Sequence, residues 1–173
     1  MIIINIEMIQ ITTTRFDSKT IQENRNWKKR KRWAGCVYGS DIRIPSTISL
    51  NTELFVIEMV NDVENVDLGL TKVGKLKKGI VSGIGYIKNR YNPENRSRIY
   101  KDENYNRYVY NSAYRKDRSE INKKLLEALE IILFTGYGHY KRGQGITRIP
   151  WKRFGISGKN IYHIFQHLFS IHA

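Results

Sequence analysis

Residues 53–61 read ELFVIEMVN, and the alternation of their side chains decides the class of fold. Side chains that repeat with a period of two lie on opposite sides of an extended chain, so this stretch predicts a β-strand. One side carries Phe55, Ile57 and Met59, and the other carries Leu54, Val56 and Glu58.

The stretches around this strand are also rich in β-branched and aromatic residues, which favour strands. In the stretch that precedes residues 53–61, Gly39, Ser40 and Asp41 predict a turn at the end of a short strand. Gly83 and Gly85 lie inside the predicted strand that follows residues 53–61, and they predict a bend or a close approach by another backbone. The further predicted strands are MIIINIEMIQITTT (1–14), AGCVYGSDIRIP (34–45), GIVSGIGYIKN (79–89), SRIYK (97–101) and NRYVYNSAY (106–114).

Helical periodicity occurs near both ends of the chain. Asp17 or Ser18 is expected to cap a helix over residues 19–33, KTIQENRNWKKRKRW. A second helix is expected between Ser119 as its N-cap and Gly136 as its stop. The apolar stripe of this second helix is Ile121, Leu125, Leu129 and Ile132, and that of a last helix is Ile161, Ile164, Phe165, Leu168 and Phe169.

Strands that come first and helices that come last predict an α+β fold rather than alternating βαβ units. At 173 residues the chain is expected to form a single domain, residues 1–173. Within it we expect a strand plus a basic helix (1–33), a β-rich core (34–118) and a helical C-terminal part (119–173).

The composition supports a packed core in a reducing compartment. Hydrophobic residues make up 40% of the chain and aromatic residues 12%. Cys36 is the single cysteine, which excludes an internal disulfide and a cysteine-rich zinc site. The longest apolar runs, residues 2–4 and 131–134, are far shorter than a membrane span. No secretory signal is indicated, so we expect an intracellular protein in the cytoplasm or nucleus of a host cell, with a virion as the alternative location.

The formal net charge is +14, which concentrates polyanions near the protein. Nucleic acid is the first candidate partner and the one that we expect; an anionic membrane is the second candidate but is not predicted as a partner. Drift towards AT-rich codons also raises the lysine content. Arginine, however, is nearly as frequent as lysine, which drift towards lysine alone does not explain.

The densest positive segment lies between Trp27 and Trp33. Five successive cations on about one and a half helical turns point in all directions around the axis, so some must face a nearby phosphate backbone. Trp33 is a candidate for stacking on a base or for anchoring the helix. A nuclear-import signal, a flexible basic arm and a plain solvated face are the alternatives. The five cations are Lys28, Lys29, Arg30, Lys31 and Arg32.

A second basic segment is the loop HYKRGQGITR at residues 139–148. Its glycines let the backbone turn and expose N–H groups, and its cations add charge-assisted bonds to an anion. No Lys-Ser or Lys-Thr follows the last glycine, so this is not a nucleotide-binding P-loop. The alternative is a glycine-rich surface turn. The candidate nucleic-acid-binding residues in this region are Tyr140, Lys141, Arg142, Arg148 and Trp151, and we expect them to form one groove with residues 28–32.

Catalysis and metal binding find little support, so no catalytic residue, metal or cofactor is predicted. His163 and His167 are four residues apart on the last helix, but a surface pair is favoured over a shared metal. Carboxylates for metal-dependent nuclease chemistry would have to converge from separate segments. The candidates are Glu53, Glu58, Asp62 and Asp67, and exposure on an edge strand accounts for Glu58 in an apolar strand.

The stretches WAGCVYG, ELFVIEMVN and GIVSGIGYIKN together resemble the core of the PUA-like group, which includes the EVE, YTH and ASCH domains. The resemblance covers about residues 33–89. It implies a small bent β-barrel or half-barrel, followed here by two C-terminal helices, that binds RNA or modified bases. Trp33, Tyr38 and Asn61 fall near the pocket-forming positions of that group. The composition also resembles that of proteins from large DNA viruses.

These observations predict a protein that binds nucleic acid without catalysing a reaction. Tyr38, with Trp33 and Trp151, would offer stacking faces. The alternatives are a virion structural or interaction protein with an acidic partner or packaged genome, and a metal-dependent nucleic-acid-processing enzyme. The choice between DNA and RNA, the specificity and the oligomeric state stay open.

Overall fold

A computed structural model describes residues 10–61, 79–94, 97–134, 145–149 and 158–170. This part of the chain contains seven strands and three α-helices. The strands are β1 (Gln10–Phe16), β2 (Cys36–Ser40), β3 (Glu53–Asn61), β4 (Gly79–Lys88), β5 (Tyr108–Ser112), β6 (Arg115–Asp117) and β7 (Thr147–Arg148). The helices are α1 (Ser18–Lys31), α2 (Lys123–Phe134) and α3 (Gly158–Leu168).

The main sheet has five strands in the order β6-β4-β3-β1-β7, so β3 lies at its centre. β1 runs parallel to β3, and the other neighbours pair antiparallel. β2 and β5 form a separate antiparallel pair. The α+β prediction is therefore confirmed. Within the described ranges the main sheet is open, with β6 and β7 at its edges, and no closed barrel is present.

Each face of the main sheet is covered by its own layer. The even-numbered residues of β3, such as Leu54 and Val56, face α1 and the β2–β5 pair. The odd-numbered residues, such as Phe55 and Ile57, face α2 and α3. The alternation in residues 53–61 thus gives β3 two apolar faces. The helices α1 and α2 pack on opposite sides of the sheet.

Local hydrogen bonds explain where α1 begins and ends. The Asp17 carboxylate accepts the N–H of Thr20 at 2.7 Å, and the Thr20 hydroxyl accepts the N–H of Asp17 at 3.0 Å. This reciprocal cap confirms Asp17 as the start signal. At the other end Arg32 adopts a left-handed conformation (φ 51°). The N–H of Trp33 then donates to the carbonyl of Lys28 at 2.9 Å, which closes the helix.

Two sequence predictions need correction. Ser119 does not cap α2, because it lies in a short 3₁₀ turn; the Asn122 side chain accepts the N–H of Lys124 at 2.8 Å instead. Residues 97–101 form no strand. Residues 1–9 of the predicted opening strand and Gly136, the predicted stop, lie outside the described residues. Among the helices that are described, none has the length and apolar character needed to cross a membrane.

Candidate nucleic-acid interface

The last two turns of α1 carry cations that follow one another along the chain and surround the end of the helix. Trp27 is 8% exposed and packs in the core between the helix and the main sheet, so the helix cannot rotate about its axis. Lys28 is half-buried, whereas the next four cations are exposed. Within the described residues, none of these four forms a salt bridge with a carboxylate. We call Lys29, Arg30, Lys31 and Arg32 the basic face.

Trp33, which follows the basic face, is an anchor. Its indole Nε1 donates to the carbonyl of Cys36 at 3.0 Å, and its half-buried ring packs against the core. Trp33 therefore fixes the path from α1 into β2. Of its two predicted roles, stacking on a base or anchoring the helix, this contact fits the second.

Tyr38 lies in the core and not on a binding surface. The residue is 2% exposed, and its hydroxyl donates to the Glu58 carboxylate at 3.0 Å. Because the ring is enclosed, a base cannot stack on it in this conformation. Asn61, the third position suggested by the PUA-like resemblance, ends β3 and is partly exposed.

Glu58 is the centre of a buried polar network beneath α1. It is 3% exposed in the central strand, so the edge-strand explanation is wrong. Arg115 donates to both carboxylate oxygens, from Nε at 2.9 Å and from Nη2 at 2.7 Å. The Ser82 hydroxyl donates at 2.9 Å, and Arg115 Nη1 lies 3.0 Å from the Asp117 carboxylate. All the charges in this network are paired.

The charges of this network also affect the pKa values of Lys28 on α1 and of the Cys36 thiol. Burial alone would raise the pKa of Glu58, but the charge and hydrogen bonds of Arg115 outweigh burial and hold that pKa below its ordinary value. Burial, followed by repulsion from Arg115, lowers the pKa of Lys28, while Glu58 opposes the shift. Burial and the nearby Glu58 charge raise the pKa of Cys36 to about 12, so its thiol is not a nucleophile here.

Sequence reasoning missed Arg115. The sequence did contain one signal, the carboxylate of Glu58 in an apolar strand, because a buried carboxylate needs a cation as its partner. Its partner, however, lies 57 residues away along the chain. Two glycines of β4 give the network its space. A Cβ on Gly83 would lie 2.5 Å from Arg115 Nη2, and one on Gly85 would lie 2.2 Å from the Tyr38 hydroxyl.

The second basic segment is described only at its end, since Tyr140, Lys141, Arg142 and Trp151 lie outside the described residues. Arg148 is on β7 and donates to the carbonyl of Thr47 at 3.2 Å. Gly145 lines a cavity of about 80 Å³ together with Asp17, the N-cap of α1, and Thr20 in the first turn of α1. The basic face is at the other end of this 14-residue helix, roughly 20 Å along its axis. The continuous groove stays a prediction, because residues 141–144 lie outside the described residues.

A cation–aromatic cluster lies at a different place in the same layer. The exposed guanidinium of Arg43 sits over two tyrosine rings, 5.4 Å from the centroid of Tyr91 and 5.2 Å from that of Tyr108. We call these three residues the Arg43 stack. The sequence contains no signal for Arg43 as the residue that joins Tyr91 and Tyr108, because the three residues are far apart along the chain.

Of the candidate catalytic carboxylates, the two that the structure describes do not come together. Glu53 and Glu58 are an odd number of positions apart on β3, so they face opposite sides of the sheet. Asp62 and Asp67 lie outside the described residues. His163 and His167 are exposed, and His163 Nδ1 lies 3.1 Å from Gln166 Oε1. In the described part of the chain, no cluster of three His, Cys, Asp or Glu side chains has the geometry to hold a metal ion.

Comparisons with protein-family models, with curated proteins and with solved structures found no match to this chain. Function is therefore inferred from the residues and their geometry.

Proposed function

We propose that this protein binds nucleic acid through phosphate contacts made by the basic face of α1. The observation that carries the proposal is the state of these four cations: they are consecutive, exposed and without a carboxylate partner among the described residues. Unpaired cations at a fixed position attract a polyanion, and each phosphate contact releases a condensed counterion. The net charge of +14 supports the same class of partner.

The rigidity of the helix end favours this function over a flexible basic arm. Trp27 is buried and Trp33 is hydrogen-bonded to Cys36, so the basic face is held at both of its ends. Cations in a last helical turn also interact well with the helix dipole. That interaction explains why α1 tolerates them there, but it does not need four exposed cations in succession.

The proposal keeps the half-barrel of the PUA-like resemblance but not its base-binding pocket. The β2–β5 pair packed over the main sheet supports a comparison with a half-barrel. We do not propose that Tyr38 or Trp33 contacts a base, because both side chains are engaged in the core. The proposed contacts are with phosphates, and they apply to DNA and RNA alike.

The test compares two lysine pairs by fluorescence anisotropy with labelled DNA and RNA oligonucleotides at several salt concentrations. Lys29→Gln/Lys31→Gln removes two charges from the basic face. Lys123→Gln/Lys124→Gln removes two exposed lysines from the first turn of α2, on the other side of the sheet. The first variant should flatten the plot of log affinity against log salt by about 0.7 to 0.9 per lost contact. Equal slopes for the two variants would reject the basic face as the binding site.

A further inference from the structure

The Arg43 stack has an unusual combination of order and exposure. The rings of Tyr91 and Tyr108 meet edge-on, with centroids 5.1 Å apart and an interplanar angle of 80°. The Arg43 guanidinium covers both rings, yet the residue is exposed. The guanidinium thus lies in the angle between two nearly perpendicular aromatic rings and remains accessible to solvent.

A cavity of about 360 Å³ opens beside this stack, between the turn after β4 and the strand β5. Its volume falls within the range of small-ligand pockets, roughly 300 to 1,000 Å³. The lining combines an aromatic ring, apolar side chains, a cation and two amides. The lining residues are Arg90, Tyr91, Asn92, Pro93, Val109 and Asn111.

We propose that the Arg43 stack and this cavity together bind one unpaired nucleobase, and that they direct the protein towards single-stranded nucleic acid. This inference rests on the proposed function, because it names the form of nucleic acid that the same protein binds.

The chemistry of the lining fits a base better than it fits a phosphate alone. Every base has a π-face that stacks on tyrosine rings and on guanidinium planes. The side-chain amides of Asn92 and Asn111 each carry donors and an acceptor, which suit the polar edge of a base. Asn92 Oδ1 accepts the N–H of Glu94 at 3.0 Å, which holds this side chain in the turn. Arg90 supplies a charge for the adjoining phosphate.

The strand preference follows from access to the base. In a duplex the bases are stacked and paired, so one of them enters a side pocket only if it is first extruded, at a cost of a few kcal/mol. In a single strand this cost is largely absent. A nucleic acid bound at the basic face therefore gains the additional base contact chiefly when it is single-stranded.

The alternative is that Arg43 merely fastens its loop to the core. Its neighbour Ile44 already does so: Ile44 is buried, and its N–H donates to the Tyr110 hydroxyl at 3.1 Å. The two roles of Arg43 predict different results for Arg43→Ala. If Arg43 only fastens its loop, Arg43→Ala should lower the midpoint of thermal unfolding. If Arg43 binds a base, Arg43→Ala should leave the midpoint unchanged and weaken nucleic-acid binding.

The experiment measures affinity for a labelled single strand and for the same strand annealed to its complement. Tyr91→Leu should weaken single-strand binding at least about fivefold, the lower end of one stacking contact, and leave duplex binding unchanged. It should also leave the salt slope unchanged, because no charge is removed. Tyr114→Leu is the matched control, since Tyr114 is 62% exposed and does not line this cavity. If Tyr91→Leu fails to fold, Arg43→Ala alone decides, with the same fivefold loss expected.

Failure of this inference is distinguishable from failure of the proposed function. If the lysine variants of α1 flatten the salt slope but neither Tyr91→Leu nor Arg43→Ala changes single-strand affinity, the base site is overturned and the proposed function stands. If the wild type binds no oligonucleotide, the proposed function fails, and titration with adenosine 5′-monophosphate then decides. If the NMR resonances of the Tyr91 and Tyr108 rings shift during this titration, the base site stands although the proposed function fails. Unshifted resonances would overturn the base site as well.

Discussion

Arg115 donates two parallel hydrogen bonds to the Glu58 carboxylate, with Nε 2.9 Å from Oε1 and Nη2 2.7 Å from Oε2. The two residues belong to β6 and β3, which are not neighbours, because β4 lies between them. Arg115 crosses β4 at Gly83, where any Cβ would collide with its guanidinium. The pair therefore ties the edge of the main sheet to its centre, directly beneath the layer that carries the basic face.

The first prediction concerns the stability that this pair contributes. Arg115→Met leaves the Glu58 charge buried without a partner, so the free energy of unfolding should fall by about 3 to 5 kcal/mol. The double variant Glu58→Leu/Arg115→Met should lose less than this single variant, because no uncompensated charge remains. Denaturant unfolding measures both. The control is Arg98→Met, which breaks an exposed ion pair with Glu103 and should change little. A double variant less stable than Arg115→Met would contradict this account.

The second prediction is a pH dependence with a definite sign. Burial opposes ionisation of Glu58, but Arg115 outweighs burial and holds its folded-state pKa below the ordinary value of 4.5. The unfolded chain therefore takes up the proton first as the pH falls. The stabilisation is fully present above about pH 4.5 and is lost as the pH falls through the folded-state pKa. Denaturant unfolding across this window should show a shallower pH dependence for Glu58→Gln than for the wild type. Equal dependences would remove Glu58 as the cause.

Much of the fold followed from the local pattern of the chain. The alternation in residues 53–61 gave β3 and its two faces, and Asp17 gave the start of α1. What could not be predicted depends on long-range partners. Arg115 meets Glu58 only because β6 returns to the sheet edge, and Arg43 meets Tyr91 only because two loops converge. Sequence spacing contains neither relationship.

The third prediction tests why β4 has a glycine at position 85. A Cβ there would lie 2.2 Å from the Tyr38 hydroxyl and 2.9 Å from the Cys36 sulfur. Gly85→Ala should therefore destabilise the fold by about 1 to 3 kcal/mol, the usual range for an overpacked core. Tyr38→Phe removes the obstructing hydroxyl together with its hydrogen bond to Glu58. The double variant should lose less stability than the two single losses added together. Strict additivity in a double-mutant cycle would show that the hydroxyl is not the obstacle.

The fourth prediction separates stability from binding at Arg32. This residue ends α1 with a φ of 51°, a conformation that costs glycine little and other residues more. Arg32→Gly should therefore keep or raise the midpoint of thermal unfolding while it removes one cation of the basic face. Affinity for nucleic acid should fall, and the salt slope should decrease by about one phosphate contact. A loss of affinity with an unchanged slope would mean that Arg32 acts through the shape of the helix end and not through its charge.

The most direct test of the central claim is footprinting of lysines in the unmodified protein. An acetylating reagent is applied with and without a saturating oligonucleotide, and mass spectrometry gives the modification at each lysine. Binding through the basic face predicts that Lys29 and Lys31 are protected, while Lys123 and Lys124 on the opposite side of the sheet react equally in both samples. Equal reaction of Lys29 and Lys31 with and without bound oligonucleotide would contradict the claim.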